Sequence, residues 1–369
     1  MGYGIHAEKG FVNRGNLYRM KELMRRAKQG DRMTLSFLGG SITQGSVSSQ
    51  YTNCYAYLVY EWFVKRFPKT AFTYVNAGVG GTTSQFGVAR VDEDVLAFKP
   101  DFVIIEFSVN DDNTDFYRET YEGLVRKVYG NAFSPAVLLV HNMFYDTGVS
   151  AEEKHREIGT YYHLPSVSMK PSIYAQVEAG RIERRELTPD DLHPNSEGHA
   201  LLAEVITNCL DQIYAQRHEA EEPFSMPEPM TRNAYEKVRR FQNHNSDPAC
   251  AGFSADKTLK KYVNDMFRGG WMASEQGAKI CFEVEGTEIA VQYRKSVKHP
   301  APVAVAVLDG DEENAVTLDA NFEEDWGDSL HIDTLAHHIS PGMHRVEIRI
   351  AQTHAFDAVP FYLVSLITA

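Results

Sequence analysis

The sequence predicts an α/β unit built on a parallel sheet, followed by an antiparallel β-sandwich of jelly-roll type. Three observations lead there. Up to about residue 216, short continuous apolar runs alternate with segments of helical periodicity, the pattern of a parallel sheet covered on both faces. Towards the C-terminus, apolar residues recur at every second position, in runs broken by turn dipeptides. Between the two lies an acidic stretch punctuated by Pro223, Pro227 and Pro229. The expected boundaries are 1–216 for the first domain, 217–245 for a linker and 246–369 for the sandwich. A chain of 369 residues also exceeds one core of ordinary size.

The elements follow in order. Residues 16–28 read as a helix with Leu17, Met20, Leu23 and Met24 on one face and Asn16 as its cap. A strand at 33–38 runs into Gly39-Gly40-Ser41. A helix at 52–67 precedes a strand at 72–76, which ends at Gly78-Val79-Gly80-Gly81. After a helix at 85–98, Pro100-Asp101 introduces the most apolar strand, 102–107, which ends at Ser108-Val109-Asn110-Asp111. A helix at 116–129, a strand at 136–141, a helix at 151–162 and a short strand at 166–169 come next. The last helix of this half follows Pro194 and carries Ala200, Leu201, Leu202, Val205, Ile206 and Leu210. In the sandwich, Ile280-Phe282-Val284, Ile289-Val291-Tyr293, Val303-Val305-Val307 and Val346-Ile348-Ile350 alternate. Glu285-Gly286, Asp309-Gly310-Asp311 and Pro341-Gly342 supply turns.

Composition narrows the function classes. The net charge is −13, so nucleic acid and anionic membranes are poor partners. No segment is long and apolar enough to span a bilayer. Met1 to His6 shows neither a signal-peptide run nor a myristoylation pattern. The cysteines Cys54, Cys209, Cys250 and Cys281 form no C-x-x-C pair and no disulfide framework. Reduced thiols in a cytoplasm are the expectation. His141, His155 and His163 form no ligand cluster, so no metal is expected.

Ligands of parallel α/β sheets bind outside the carboxyl ends of the strands. Ser41, Gly81 and Asn110 each follow a predicted strand end, so residues far apart in sequence can meet in one crevice. Glycines around Ser41 allow a tight turn and leave room for a substrate carbonyl. Taken alone, the stretch reads equally as a Gly-rich turn. Thr188-Pro189-Asp190-Asp191-Leu192-His193-Pro194-Asn195 lies just before the last helix of this half. An imidazole acting as a base needs a carboxylate on one nitrogen, and a loop can fold Asp190 back onto His193. The other ring nitrogen is then free for Ser41 Oγ. Acyl transfer also needs donors for an oxyanion. The backbone N–H groups of Ser41 and Gly81 and the amide of Asn110 would supply them.

These blocks resemble those of the SGNH (GDSL-type) hydrolases over about residues 31–210. Leu38-Gly39-Gly40-Ser41-Ile42-Thr43 is similar to the nucleophile block, and Asn76-Ala77-Gly78-Val79-Gly80-Gly81-Thr82 to the glycine block. Val109-Asn110-Asp111 resembles the asparagine block and Asp190-Asp191-Leu192-His193 the D-x-x-H block. Gly40 stands where the family usually has Asp, and Ser108 where it usually has Gly. Neither departure removes a catalytic group. The resemblance implies a flavodoxin-like sheet and a serine esterase that forms an acyl-enzyme. The implied triad is Ser41, His193 and Asp190, with an oxyanion hole from Ser41, Gly81 and Asn110 and no cofactor. An α/β-hydrolase elbow would require Gly where Thr43 stands.

A jelly roll beside a hydrolase often binds sugar through a flat aromatic ring. Trp271 and Trp326 both sit in polar surroundings and are the candidate substrate-binding residues; packing in the domain core is the other reading of each, and the favoured one for Trp271. Trp326 is the stronger of the two because Glu323, Glu324, Asp325 and Asp328 flank it. The pairing of the two domains resembles the mannan O-acetyl esterases of carbohydrate esterase family seventeen. That implies an acetylated oligosaccharide as the partner and a carbohydrate-binding-module-like second domain. Two alternatives stand beside it: a lysophospholipase or thioesterase on the same fold, and a sugar-binding protein with a spent hydrolase domain. The sequence leaves the choice between monomer and homodimer open.

Overall fold

The computed structural model describes residues 3–369; Met1 and Gly2, which open the stretch read for a leader, lie outside the described residues. The chain divides into two compact units, Met1–Glu236 and Lys237–Ala369.

The first unit is a six-stranded sheet with helices on both faces. Its strands are β1 (Phe11–Asn13), β2 (Arg32–Gly39), β3 (Ala71–Gly78), β4 (Phe102–Glu106), β5 (Ala136–His141) and β6 (Ser166–Ser168). Their order is β1-β6-β5-β4-β2-β3. Strands β2 to β6 are parallel, and β1 runs antiparallel along the β6 edge. The parallel strands alone follow the flavodoxin-like order, with its switch point where β2 lies between β3 and β4. Strands β4 and β5 are buried along their whole length because helices cover both faces, which is why they read as unbroken apolar runs.

The helices are α1 (Tyr18–Gln29), α2 (Ser41–Gln44), α3 (Tyr55–Arg66), α4 (Ser84–Asp94), α5 (Asp115–Tyr129), α6 (Glu152–Tyr161), α7 (Ala175–Glu178) and α8 (Ser196–Ala215). Three details differ from expectation. Asn16 sits one residue before the cap position, though its Oδ1 still accepts the Tyr18 N–H at 3.1 Å. The helix expected over 85–98 stops at Asp94 and gives way to a 3₁₀ turn, Leu96–Phe98; Lys99 then adopts the left-handed region ahead of Pro100. Strand β1 has no sequence signal, being only three residues on one sheet edge. The proline-rich stretch from 217 to 236 belongs to the first unit. There Glu122 accepts the N–H groups of Met230 and Thr231.

The second unit packs two antiparallel sheets. Its strands are β7 (Arg239–Phe241), β8 (Ala249–Ala251), β9 (Ser254–Ala255), β10 (Trp271–Ala273), β11 (Lys279–Gly286), β12 (Ile289–Lys295), β13 (Val303–Leu308), β14 (Val316–Asp319), β15 (Ser329–Ala336), β16 (Gly342–Gln352) and β17 (Phe361–Thr368). One sheet runs β15-β12-β17-β10-β9 with β7 also on β17, and the other runs β14-β13-β16-β11-β8. Alternate residues fill the space between them: Ile280, Phe282 and Val284, Ile289, Val291 and Tyr293, Val346, Ile348 and Ile350. In β13 Ala304 and Ala306 join this core, while Val303 and Val305 are half-buried; Val307 is also buried.

Trp271 is a correction. It is 3% exposed, lies on β10 opposite Leu363 and packs edge-on against Phe282 at 5.3 Å. Its ring is part of the sandwich core and offers no face to a substrate. Trp326 is 57% exposed, stands edge-on to Phe322 and donates its indole N–H to Glu324.

Candidate active site

Strand β2 delivers Ser41. The backbone leaves the sheet at Gly39 and turns directly into α2, so Ser41 is the first residue of a single helical turn. Thr43 in that turn is anchored from below by a 2.7 Å hydrogen bond between its Oγ1 and the Tyr55 hydroxyl. Ser41 is 7% exposed.

His193 arrives on the loop before α8. That loop is closed by Asn195, whose N–H donates to Leu187 O at 2.8 Å and whose side chain caps α8 by accepting the Gly198 N–H at 3.0 Å. His193 Nε2 lies 2.8 Å from Ser41 Oγ, and its Nδ1 lies 2.6 Å from Asp190 Oδ2. The other oxygen of Asp190 accepts the N–H groups of Leu192 at 3.0 Å and His193 at 2.7 Å. Burial pushes the Asp190 carboxyl upward, but the hydrogen bonds from the His193 ring and from the His193 and Leu192 N–H groups outweigh it. They hold its pKa at about 2. An ionised carboxylate only accepts, so Nδ1 of His193 carries the ring proton. Nε2 is then left to accept from the Ser41 hydroxyl. That polarity is the one a general base requires.

The neighbouring Asp191 is turned away. Its backbone is left-handed (φ 67°), and its carboxylate pairs with Arg184 at 3.1 Å and Arg185 at 2.7 Å.

The glycine and asparagine blocks close on the same serine. A Cβ on Gly80 would lie 3.6 Å from Ser41 Cβ, so this loop passes directly beside the nucleophile. A Cβ on Gly40 would lie 2.1 Å from Asn110 Oδ1. The Asp usual at this position therefore has no room here while Asn110 keeps its place. Gly81 is in the left-handed region (φ 66°), which a residue with a side chain would strain. The N–H groups of Ser41 and Gly81 and the amide of Asn110 have no hydrogen-bond partner among the described residues. The Ser41 and Gly81 N–H groups and the Asn110 side chain are thus left uncommitted, as candidate partners of a developing oxyanion would be.

Two further residues support these loops and were not singled out in the sequence. Gln44 Oε1 accepts the Gly80 N–H at 2.7 Å and so fixes the glycine loop against α2. Arg90, buried on α4, donates to Gly39 O at 3.1 Å and pairs with Asp94 at 3.1 Å. A polar residue inside an otherwise apolar helix face is the only signal Arg90 leaves in the sequence.

The GDSL-like Lipase/Acylhydrolase family model matches residues 37–201. Among curated proteins, an acetylxylan esterase of Geobacillus stearothermophilus is 27% identical over 205 residues, 48% of this chain and 93% of that protein. Among solved structures, a two-domain esterase active on acetylated mannans is 57% identical, with a TM-score of 0.96 over 99% of this chain and 98% of that one. The same two-domain esterase co-crystallised with mannopentaose superposes with a TM-score of 0.95.

Proposed function

Because this chain belongs to the SGNH (GDSL-like) lipase/acylhydrolase family, we propose that Ser41, His193 and Asp190 carry out ester hydrolysis on acetylated manno-oligosaccharides. The observation that carries the chemistry is the continuous hydrogen-bonded line from Ser41 Oγ through His193 to Asp190, at 2.8 and 2.6 Å.

Ser41 Oγ attacks the ester carbonyl carbon while His193 Nε2 takes its proton. The carbonyl oxygen becomes an oxyanion held by the N–H groups of Ser41 and Gly81 and by the Asn110 amide. Asp190 stabilises the imidazolium by charge and keeps its orientation. His193 then gives the proton to the departing sugar hydroxyl, and acetyl-Ser41 remains. Water gives a proton to His193 and attacks the acyl carbon; the bond to Ser41 Oγ then breaks, His193 returns that proton to Oγ, and acetic acid departs to ionise as acetate. Each proton moves between substrate, water, Ser41 and His193, so the cycle closes without a cofactor.

The substrate class rests on likeness: the 57% identical relative, matched over nearly its whole length, is active on acetylated mannans. In the second unit the exposed Trp326 ring offers a flat apolar face beside acidic hydrogen-bond acceptors, the chemistry that suits a sugar. That ring supports reading the sandwich as a carbohydrate-binding module. Trp326→Ala is expected to raise KM for an acetylated manno-oligosaccharide by about tenfold, roughly one stacking contact. KM for a small aryl acetate should stay the same, and equal KM values for the oligosaccharide would count against the assignment. Cys54, Cys209, Cys250 and Cys281 are all unpaired, which suits a reducing cytoplasm. Among the described residues no helix is long and apolar enough to cross a membrane.

A fluorophosphonate followed by peptide mass spectrometry tests the nucleophile. The adduct is expected on the Ser41 peptide; labelling elsewhere, or none, would remove Ser41 from its role and favour a spent hydrolase.

A further inference from the structure

Asp111 ends the asparagine block and has no part in the mechanism above. Its side chain is fully buried, and so is that of His155. A polar group that deep persists only where hydrogen bonds satisfy it. Oδ1 of Asp111 accepts the Ser84 N–H at 2.8 Å, and Oδ2 lies 3.0 Å from His155 Nε2.

The placement of these partners matters. Ser84 opens α4 and follows Gly81 by three residues; Asp111 is the neighbour of Asn110. One carboxyl group therefore bridges the two loops that carry the Gly81 N–H and the Asn110 amide. It also occupies a helix N-terminus, where the first N–H groups lack intrahelical acceptors. His155, on α6, lies flat on Tyr121 of α5, with ring centroids 3.6 Å apart and planes 4° apart. Ser84 Oγ is joined in turn to Thr120 Oγ1 of α5 at 2.6 Å. The bridge is thus fixed from α4, α5 and α6 together.

We propose that Asp111 is a positioning residue for the oxyanion hole, acting through Asn110 and Gly81, with His155 holding its carboxyl group in place. This rests on the reading of those two groups as oxyanion donors. Donors help only where they are aimed at the oxyanion, and a misplacement of about 1 Å can cost on the order of a hundredfold in rate.

The test is a double-mutant cycle on the full chain with 4-nitrophenyl acetate, with kcat expressed per active site titrated by a fluorophosphonate. Titration counts only folded, reactive sites, so simple loss of folded protein does not move the readout. Asp111→Ala is expected to lower kcat by about 30-fold, with KM within about twofold. Asp111→Asn keeps an acceptor for the Ser84 N–H and should recover most of that loss. On an Asn110→Ala background, Asp111→Ala should cost less than about fivefold, because part of its effect passes through the missing amide. If Asp111→Ala does not fold, His155→Phe takes its place in the cycle; it keeps the ring on Tyr121 and removes the hydrogen bond. An unchanged kcat, or losses that multiply fully in the double mutant, would overturn the role of Asp111 while Asn110→Ala alone still reports an oxyanion donor. A wild-type kcat for Asn110→Ala would overturn the oxyanion reading itself, and the role of Asp111 with it.

Discussion

Ser41→Ala is expected to lower the rate of acetate release by roughly a millionfold, the scale seen when a triad nucleophile is removed. The methyl side chain has no oxygen to form the acyl-enzyme and none for His193 Nε2 to activate. The change is conservative for the fold. Ser41 Oγ makes its 2.8 Å contact only to His193, and Thr43 and Tyr55 still anchor α2. The rate left over should reflect the oxyanion donors and binding alone, a residue of catalysis that triad enzymes retain. Single-turnover acetate release with wild-type-like thermal unfolding is the measurement. A loss of less than about tenfold would mean that another group attacks the ester.

Asp190→Asn comes second, with an expected loss of about ten-thousandfold in kcat. The reason lies in donor polarity. The two N–H groups on Oδ1 can be kept by an amide oxygen, so the loop should hold its shape. An amide NH₂ in place of Oδ2 then faces His193 Nδ1, which must give up its proton to accept. Nε2 becomes the protonated nitrogen and cannot receive the Ser41 proton. The same substitution changes acid stability. The native carboxyl is depressed to about 2, below the ordinary carboxyl range. Its contribution is therefore present above that range and lost as pH falls towards 2. The melting temperature of Asp190→Asn should fall below that of the native protein at neutral pH, and the gap should close on acidification. A gap that widened in acid would contradict the assigned charge.

The arrangement of the candidate site was legible in the sequence where chemistry and strand ends coincide. Ser41, Gly81 and Asn110 follow β2, β3 and the segment after β4, and a parallel sheet puts those ends on one edge. His193 was legible through its spacing from Asp190 and the cap that follows. Asp190 was named from its spacing to His193, and the family pattern agreed; nothing in the sequence signalled that Arg184 and Arg185 pair with Asp191. What stayed hidden depends on partners distant in sequence. Gln44 carries no mark of its own in the sequence, and its bond to Gly80 spans 36 positions. Trp271 looked like a loop aromatic because its neighbours Gly269 and Gly270 suggest a turn. Its burial comes from β17, about 90 residues further on. In β13 the run Val303-Val305-Val307 looked like the inward set, yet Ala304 and Ala306 take the core positions while Val303 and Val305 are half-buried.

The most direct test of the account compares acetate release from acetylated manno-oligosaccharides and acetylated xylo-oligosaccharides under the same conditions, with Ser41→Ala as control. The expected kcat/KM is at least tenfold higher on the mannan-derived substrate, a difference of about 1.4 kcal/mol in transition-state binding, with release by the variant roughly a millionfold slower. Equal or faster release from the xylan-derived substrate would contradict the mannan assignment. Release by Ser41→Ala within about tenfold of the native rate would contradict the mechanism.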